Sequence, residues 1–219
     1  MLPIRDINPT RGFAWATMGF IIANVVVFLY ELSLPTQVEL ERFVFTMGII
    51  PYRVVHRFDL TVLPTLFTSM FLHAGFVHLI GNMLFLWIFG NNVEDILGSL
   101  GFTAFYFLCG LCGSALQILV SPNSLAVIIG ASGAIAGVLG AYLLLFPRAQ
   151  IETLVFFGYF VRLVRLPAFL FLGLWILLQF ANGIASLGIE QAGGVAWFAH
   201  IGGFIAGFLS VSLFPKRRR

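Results

Sequence analysis

Gly130-Ala131-Ser132-Gly133-Ala134-Ile135-Ala136-Gly137-Val138-Leu139-Gly140 is the stretch on which the reading of this chain turns. It sets one hydroxyl, that of Ser132, among glycines and small apolar residues, in a run long enough to cross a bilayer. Hydrocarbon offers no water to a hydroxyl, so a serine there needs a reason. Close helix packing is the plain one, since Gly133 and Gly137 make a small-xxx-small face. A nucleophile is the other. The rest of the chain decides between them.

Everything around that stretch is typical of a membrane protein. Of the 219 residues, 60% are hydrophobic and 10% charged, and the mean hydropathy is +1.01. Soluble domains average about 45–50% apolar and 25% charged. The formal net charge of +3 carries no nucleic-acid signal, because the basic residues are scattered apart from Lys216-Arg217-Arg218-Arg219. That tail follows an apolar segment directly, as a cytoplasmic anchor does. Cys109-Gly110-Leu111-Cys112 lies inside an apolar run, where packing explains it better than redox chemistry or metal binding. Neither a cofactor nor a metal is called for. The first apolar segment is too long for a signal-peptide core, so no cleavable leader is expected.

Six apolar segments are expected, at roughly 13–34, 66–89, 100–120, 125–146, 167–187 and 195–214. Each has about 20 residues, enough for a helix to span ~30 Å of hydrocarbon. Breakers separate them: Asn91-Asn92, Ser121-Pro122-Asn123, Pro147-Arg148 and the glycine-rich stretch 183–194. The long connection 35–64 mixes Glu39, Glu41, Arg42, Arg53, Arg57 and Asp59 with Phe43, Phe45 and Ile49, which suits a segment lying at the interface. The fold class is therefore an all-α polytopic membrane protein: a short lead over 1–12, one six-helix domain over 13–214 and a basic tail over 215–219. With both termini cytoplasmic, Arg5, Arg11, Arg148, Arg162, Arg165 and the four tail residues lie inside, nine basic residues against the three at Arg42, Arg53 and Arg57. That is a clear positive-inside bias.

Topology then relates distant residues. Segments two, four and six all enter from the outer side. Ser132 falls about seven residues into the fourth and His200 about five into the sixth, which puts both about 8–10 Å deep. Segment two adds His73, His78 and Asn82, the last two on one helical face. A serine attacks carbonyls only when a base takes its proton, and histidine is the usual base. Gly130, Gly133, Gly137, Gly203 and Gly207 thin the two helices, so that Ser132 and His200 can meet. His78, Asn82 and the Ser132 amide are donors available to an oxyanion. With no carboxylate obviously paired to His200, a dyad is expected rather than a triad. Each of these residues also has a structural reading, as packing serine, interhelical histidine or polar cluster.

Taken together the residues resemble those of a known family, the rhomboid intramembrane serine proteases. Gly130-Ala131-Ser132-Gly133 resembles the family's GxSG, and His200-Ile201-Gly202-Gly203-Phe204-Ile205-Ala206-Gly207 its HxxGxxxG. The run His73-Ala74-Gly75-Phe76-Val77-His78-Leu79-Ile80-Gly81-Asn82 resembles its HxxxxHxxxN, and Glu94-Asp95-Ile96-Leu97-Gly98 its ExxxG. The resemblance implies a six-transmembrane-helix rhomboid bundle with a long, partly membrane-embedded first loop. It implies Ser132 as nucleophile, His200 as general base and acid, and His78 and Asn82 with the Ser132 amide as oxyanion donors, with His73 structural. The implied partners are the lipid bilayer and transmembrane protein substrates, cut near their outer ends, in a multi-pass protein of a prokaryotic plasma membrane. The family's fifth helix and following loop are thought to gate access; Gly183, Gly188, Gly193 and Gly194 would give that gate mobility, and plain turn-making explains them equally well.

Two departures stand out. Pro64-Thr65 replaces a Trp-Arg that some relatives carry in the first loop. Ala136 stands where some relatives have a tyrosine that stacks on the catalytic histidine, so another group must orient His200, with Trp197 or a neighbour on the fourth helix as candidates. Two alternatives remain open: a rhomboid-like pseudoenzyme that binds membrane proteins without cutting them, and a small channel or transporter using the His78, Asn82 and His200 cluster as a polar path.

Overall fold

The glycines of the 130–140 stretch bring two helices into backbone contact. The computed structural model describes residues 1–158, 160–187 and 194–214. In it, helix α7 (Ser132–Leu145) packs along α9 (Trp197–Ser210). A β-carbon added at Gly203 would land on the carbonyl oxygen of Gly133, one at Gly207 on that of Gly137, and one at Gly140 on that of Phe204. Gly137 also clears Cys109, whereas a β-carbon at Gly133 would stand 3.5 Å from its nearest neighbour, an ordinary contact. Gly137 is thus the tight member of the small-xxx-small face.

The other helices surround this pair. They are α1 (Trp15–Ser33), the short α2 (Gln37–Met47), α3 (Pro51–His56) and α4 (Val62–Thr68), then α5 (Phe76–Phe85), α6 (Asn91–Val120) and α8 (Ala168–Ala185). A π-helical turn, Leu86–Gly90, joins α5 to α6. The helical path is broken at Gly98, where φ is +71°. Only glycine adopts that conformation freely, and here the chain turns back. His78 lies beside Gly130, Asn92 bonds Asp6 at the far end, and Gln117 has returned to bond the amides of Phe198 and Ala199. In the core between α1 and α6, Phe20 stacks on Tyr106 and meets Phe102 edge-on.

Three helical stretches are long and apolar enough to cross a membrane: Trp15–Ser33, Phe76–Val120 and Ala168–Ala185. Ser132–Leu145 and Trp197–Leu213 are apolar but shorter. Two boundaries differ from expectation. The second apolar segment is helical from Phe76 rather than 66, because residues 62–71 form α4 and a 3-10 turn of their own. The fourth segment is helical only from Ser132, not from 125. Its first residues are not helical: Ile49 and Ile128 exchange backbone bonds of 3.1 and 2.7 Å, and Gly130 N–H donates to the Ser69 carbonyl at 2.8 Å. Those bonds satisfy the backbone without a helix.

The chain is mostly helical but not wholly so, which corrects the all-α expectation. Strand β1 (Leu2–Ile7) pairs antiparallel with β2 (Gln150–Phe157), which pairs antiparallel with β3 (Phe160–Pro167). The amino-terminal lead is therefore built into the fold. Asp6 fastens it, accepting from Tyr142 Oη at 2.6 Å and Asn92 Nδ2 at 2.8 Å. Burial raises the Asp6 carboxyl above its ordinary pKa, and these two hydrogen bonds oppose the shift. On the sheet's other face Glu152 lies between Arg5, at 2.6 Å, and Arg165, at 2.9 Å. The hydrogen bond from Arg5, and then that from Arg165, hold the Glu152 carboxyl below its usual range. A depressed carboxyl stabilises the fold above its unfolded pKa and loses that contribution as pH falls through the folded value. Thermal unfolding followed below about pH 4.5 is expected to show a steeper acid-side loss for wild type than for Glu152→Gln.

One distant carboxylate starts α1. Ala14 offers no side-chain cap, and α1 has no acidic residue in its first turn. Buried Glu94 supplies the missing acceptors, taking the amides of Ala16 at 2.9 Å and Thr17 at 2.7 Å and the Ser99 hydroxyl at 2.6 Å. A carboxylate on the orphan amides of a helix start is favourable both as a cap and against the helix dipole. Glu94→Ala is expected to lower stability by about 2–3 kcal/mol, read as a fall in the unfolding midpoint in detergent.

Candidate active site

Ser132 and His200 meet. Ser132 Oγ and His200 Nε2 are 2.8 Å apart across the α7–α9 contact. Both side chains stand in the first turn of their helices, Ser132 as the first residue of α7 and His200 as the fourth of α9. They are level because both helices begin at the same end of the bundle, not because Ser132 lies seven residues in. His200 is 9% exposed and Ser132 half-buried.

The approach to Ser132 is held by Gly130. Its φ is +116°, and a β-carbon there would press within 2.7 Å of the His78 ring. His78 can therefore lie against the backbone immediately before Ser132. Its Nδ1 accepts the Ala74 N–H at 3.4 Å, which leaves the proton of a neutral ring on Nε2, the atom against Gly130. Asn82 is buried, whereas His78 is half-buried, and Asn82 donates Nδ2 to the His78 carbonyl at 3.0 Å. The first amides of α7, beginning with that of Ser132, have no acceptor within their helix. Backbone N–H groups and a ring N–H thus surround the serine.

His73 stands just before α5, with its ring edge-on to His78 at 5.0 Å between centroids. Its backbone N–H faces the buried Glu31 carboxylate of α1, 3.4 Å from each oxygen. A small cavity of about 10 Å³ opens behind Ser132, lined by Ser69, Ser114 and Gly130 among others.

What orients His200 differs from the candidates read from the sequence. Trp197 does contact it, edge-on at 6.2 Å. The closer partners come from α8, which sequence reasoning missed. Gln179 Oε1 is 2.7 Å from His200 Nδ1, and the Trp175 ring lies over the imidazole at 5.9 Å, tilted by 34°. Gln179 was detectable as a lone amide in the middle of an apolar helix, a setting in which a polar group must find a partner. Of the glycines read as hinges, Gly183 packs near Phe198 and Ile201 and Gly194 precedes α9. Gly188, Gly193 and the basic tail lie outside the described residues. No cluster of three or more His, Cys, Asp or Glu side chains suited to a metal ion occurs among the described residues.

A family model, the Rhomboid domain, matches residues 61–217, which include His73, His78, Asn82, Ser132, Gln179 and His200. This chain belongs to the rhomboid family. Similar relatives include the mitochondrial RHOMBOID-like protein 6 of Arabidopsis thaliana, 36% identical over 65% of this chain and 41% of that protein. The mitochondrial Rhomboid protein 1 of Saccharomyces cerevisiae is 34% identical over 64% of this chain and 39% of its own. The Rhomboid protease GluP of Bacillus subtilis is 34% identical over 67% and 25%. This rhomboid thus spans about two fifths or less of the length of these relatives. Rhomboids are integral membrane proteins, and the family includes a protease by name. Because two of these relatives are mitochondrial, the expectation of a prokaryotic plasma membrane no longer stands as the preferred compartment.

Proposed function

We propose that this rhomboid is an intramembrane serine endopeptidase that cuts peptide bonds in or beside transmembrane segments of other proteins. The observation that carries the reading is the 2.8 Å contact between Ser132 Oγ and His200 Nε2. In this scheme His200 takes the Oγ proton as Ser132 attacks the substrate carbonyl. The carbonyl carbon becomes tetrahedral and its oxygen negative. The Ser132 amide, the His78 Nε2–H and Asn82 are the donors to that oxygen in this scheme; Asn82 gives one Nδ2–H to the His78 carbonyl at 3.0 Å, and its NH2 carries a second. His200 then gives its proton to the leaving amine, and water hydrolyses the acyl-serine through the same base.

The serine at a helix start suits this chemistry. A nucleophile in the middle of a spanning helix would be walled off by its own neighbours and by lipid. At the first residue of a short helix it can open to water at the membrane's edge. A substrate helix must unwind before its carbonyl can be attacked, which favours segments weakened by Gly or Pro. The bundle is proposed to cross the membrane six times over residues 13–214, with both termini cytoplasmic. Supporting this orientation, Arg5, Arg162 and Arg165 gather on one sheet, while Arg53 lies in α3, within the 35–64 connection.

A fluorophosphonate applied to the protein in lipid tests the assignment. Stoichiometric attachment mapped to Ser132, together with cleavage of a single-span reporter, is the expected result. A protein that cuts the reporter while Ser132 stays unlabelled overturns it. Solute flux through liposomes with no labelling would favour a channel instead.

A further inference from the structure

We infer that Gln179 is a positioning residue that holds His200 in the one tautomer its pairing with Ser132 requires. This rests on the proposed Ser132–His200 chemistry and adds to it a third member on a different helix.

A neutral imidazole carries one proton, on Nδ1 or on Nε2. To serve as base for Ser132, His200 must present a bare Nε2 to the hydroxyl, so its proton must be on Nδ1. A carboxylate fixes this choice in many serine enzymes, because it can only accept. An amide has a donor end and an acceptor end, and could fix either tautomer. Here the ambiguity is removed by the next link. Gln179 Nε2 faces the Trp175 carbonyl at 3.4 Å. A carbonyl only accepts, so the NH2 end must lie there, and the oxygen end must face His200 Nδ1 at 2.7 Å. An oxygen at that distance requires a proton on Nδ1. The chain then runs in one direction: Ser132 Oγ–H to His200 Nε2, His200 Nδ1–H to Gln179 Oε1, and Gln179 Nε2–H to the Trp175 carbonyl.

Burial makes the arrangement selective. Gln179 is 7% exposed and His200 9%, so water does not readily replace either partner. Trp175 and Gln179 are one helical turn apart on α8, and both face His200: one covers the ring, the other holds its edge. The same oxygen also stabilises the imidazolium that forms when His200 takes the serine proton, and it does so without placing a full charge in an apolar helix. The position of α8 against α9 therefore sets the geometry of the dyad. Ala136, one turn after Ser132 on α7, offers no aromatic ring to do this.

The test compares Gln179→Leu, Gln179→Glu and wild type, full-length in lipid, by three measurements. The first is the ¹⁵N spectrum of histidine-labelled protein, with the His200 signals assigned by their loss in His200→Ala. Wild type is expected to show a protonated Nδ1 and a bare Nε2, and Gln179→Leu a mixture or the reverse. The second is reporter cleavage. Gln179→Leu is expected to lose about 10- to 100-fold in kcat with little change in KM, the worth of one hydrogen bond to a charged group. The third is rescue: Gln179→Glu, which accepts but cannot misorient, is expected to stay within about tenfold of wild-type kcat. Wild-type His200 with its proton on Nε2, or Gln179→Leu turning over at the wild-type rate, overturns the inference. Absence of cleavage by wild type and of Ser132 labelling counts against the proposed protease instead, and the ¹⁵N spectrum still reports on Gln179.

Discussion

Replacing Ser132 with alanine is expected to reduce cleavage of a transmembrane reporter by about 10⁴- to 10⁶-fold, to background, while leaving the fold intact. The substitution deletes one oxygen from a half-buried position and adds nothing, so the unfolding midpoint should move little. His200→Ala is expected to cost turnover by the same order, because a serine without its base is a weak nucleophile. The informative variant is the double one. Groups that act as one unit fail as one unit, so Ser132→Ala combined with His200→Ala should be no slower than either alone. Single-turnover kinetics in lipid vesicles measure all three. Losses that multiply in the double variant would show that the two residues contribute separately, and the 2.8 Å contact between them would then be structural.

Much of this site could be read from the chain, and the reasons for what could not are specific. Ser132 and His200 stood out because polar groups in apolar helices need explaining, and glycines at 133, 137, 203 and 207 said that two helices could approach. The two side chains meet, but Ser132 begins α7 rather than lying seven residues into a helix. Hydropathy cannot distinguish an apolar helix from an apolar non-helical run, and α7 starts only at Ser132 because the chain around Ile128 pairs with Ile49, far away in sequence. The sheet was hidden in the same way: β1 is only six residues long and finds its partner about 150 positions later. Gln179 carried a signal of its own, as an amide within Ala168–Ala185. What its neighbours in sequence could not show is which helix it faces. The ExxxG resemblance singles out Glu94 and Gly98 without a role for either, and their roles are visible only in three dimensions. Glu94 caps α1, and Gly98 turns the chain back.

The glycines that make the dyad possible should also be the least replaceable residues outside it. Gly203→Ala is expected to destabilise the protein by about 1–3 kcal/mol and, separately, to lower kcat about 10²-fold. The added methyl would fall on the Gly133 carbonyl oxygen, and at Gly207 it would fall on that of Gly137. Neither obstacle is a side chain that can rotate away. Each is helix backbone, held by its own hydrogen bonds, so relief requires α7 and α9 to move apart. Gly133 directly follows Ser132, and Gly203 lies one turn below His200, so that movement acts on the 2.8 Å contact itself. A displacement of about 1 Å is enough to cost about two orders of magnitude in a reaction that depends on alignment. Gly173→Ala provides the comparison. It also adds a methyl to a helical glycine, but nothing lies within 4 Å of that position. There the gain in helix propensity should leave stability unchanged or raise it by up to about 1 kcal/mol. If Gly203→Ala and Gly173→Ala behave alike in unfolding and in kcat, close backbone contact is not what holds Ser132 to His200. If they diverge as expected, packing and catalysis are two consequences of the same missing side chains.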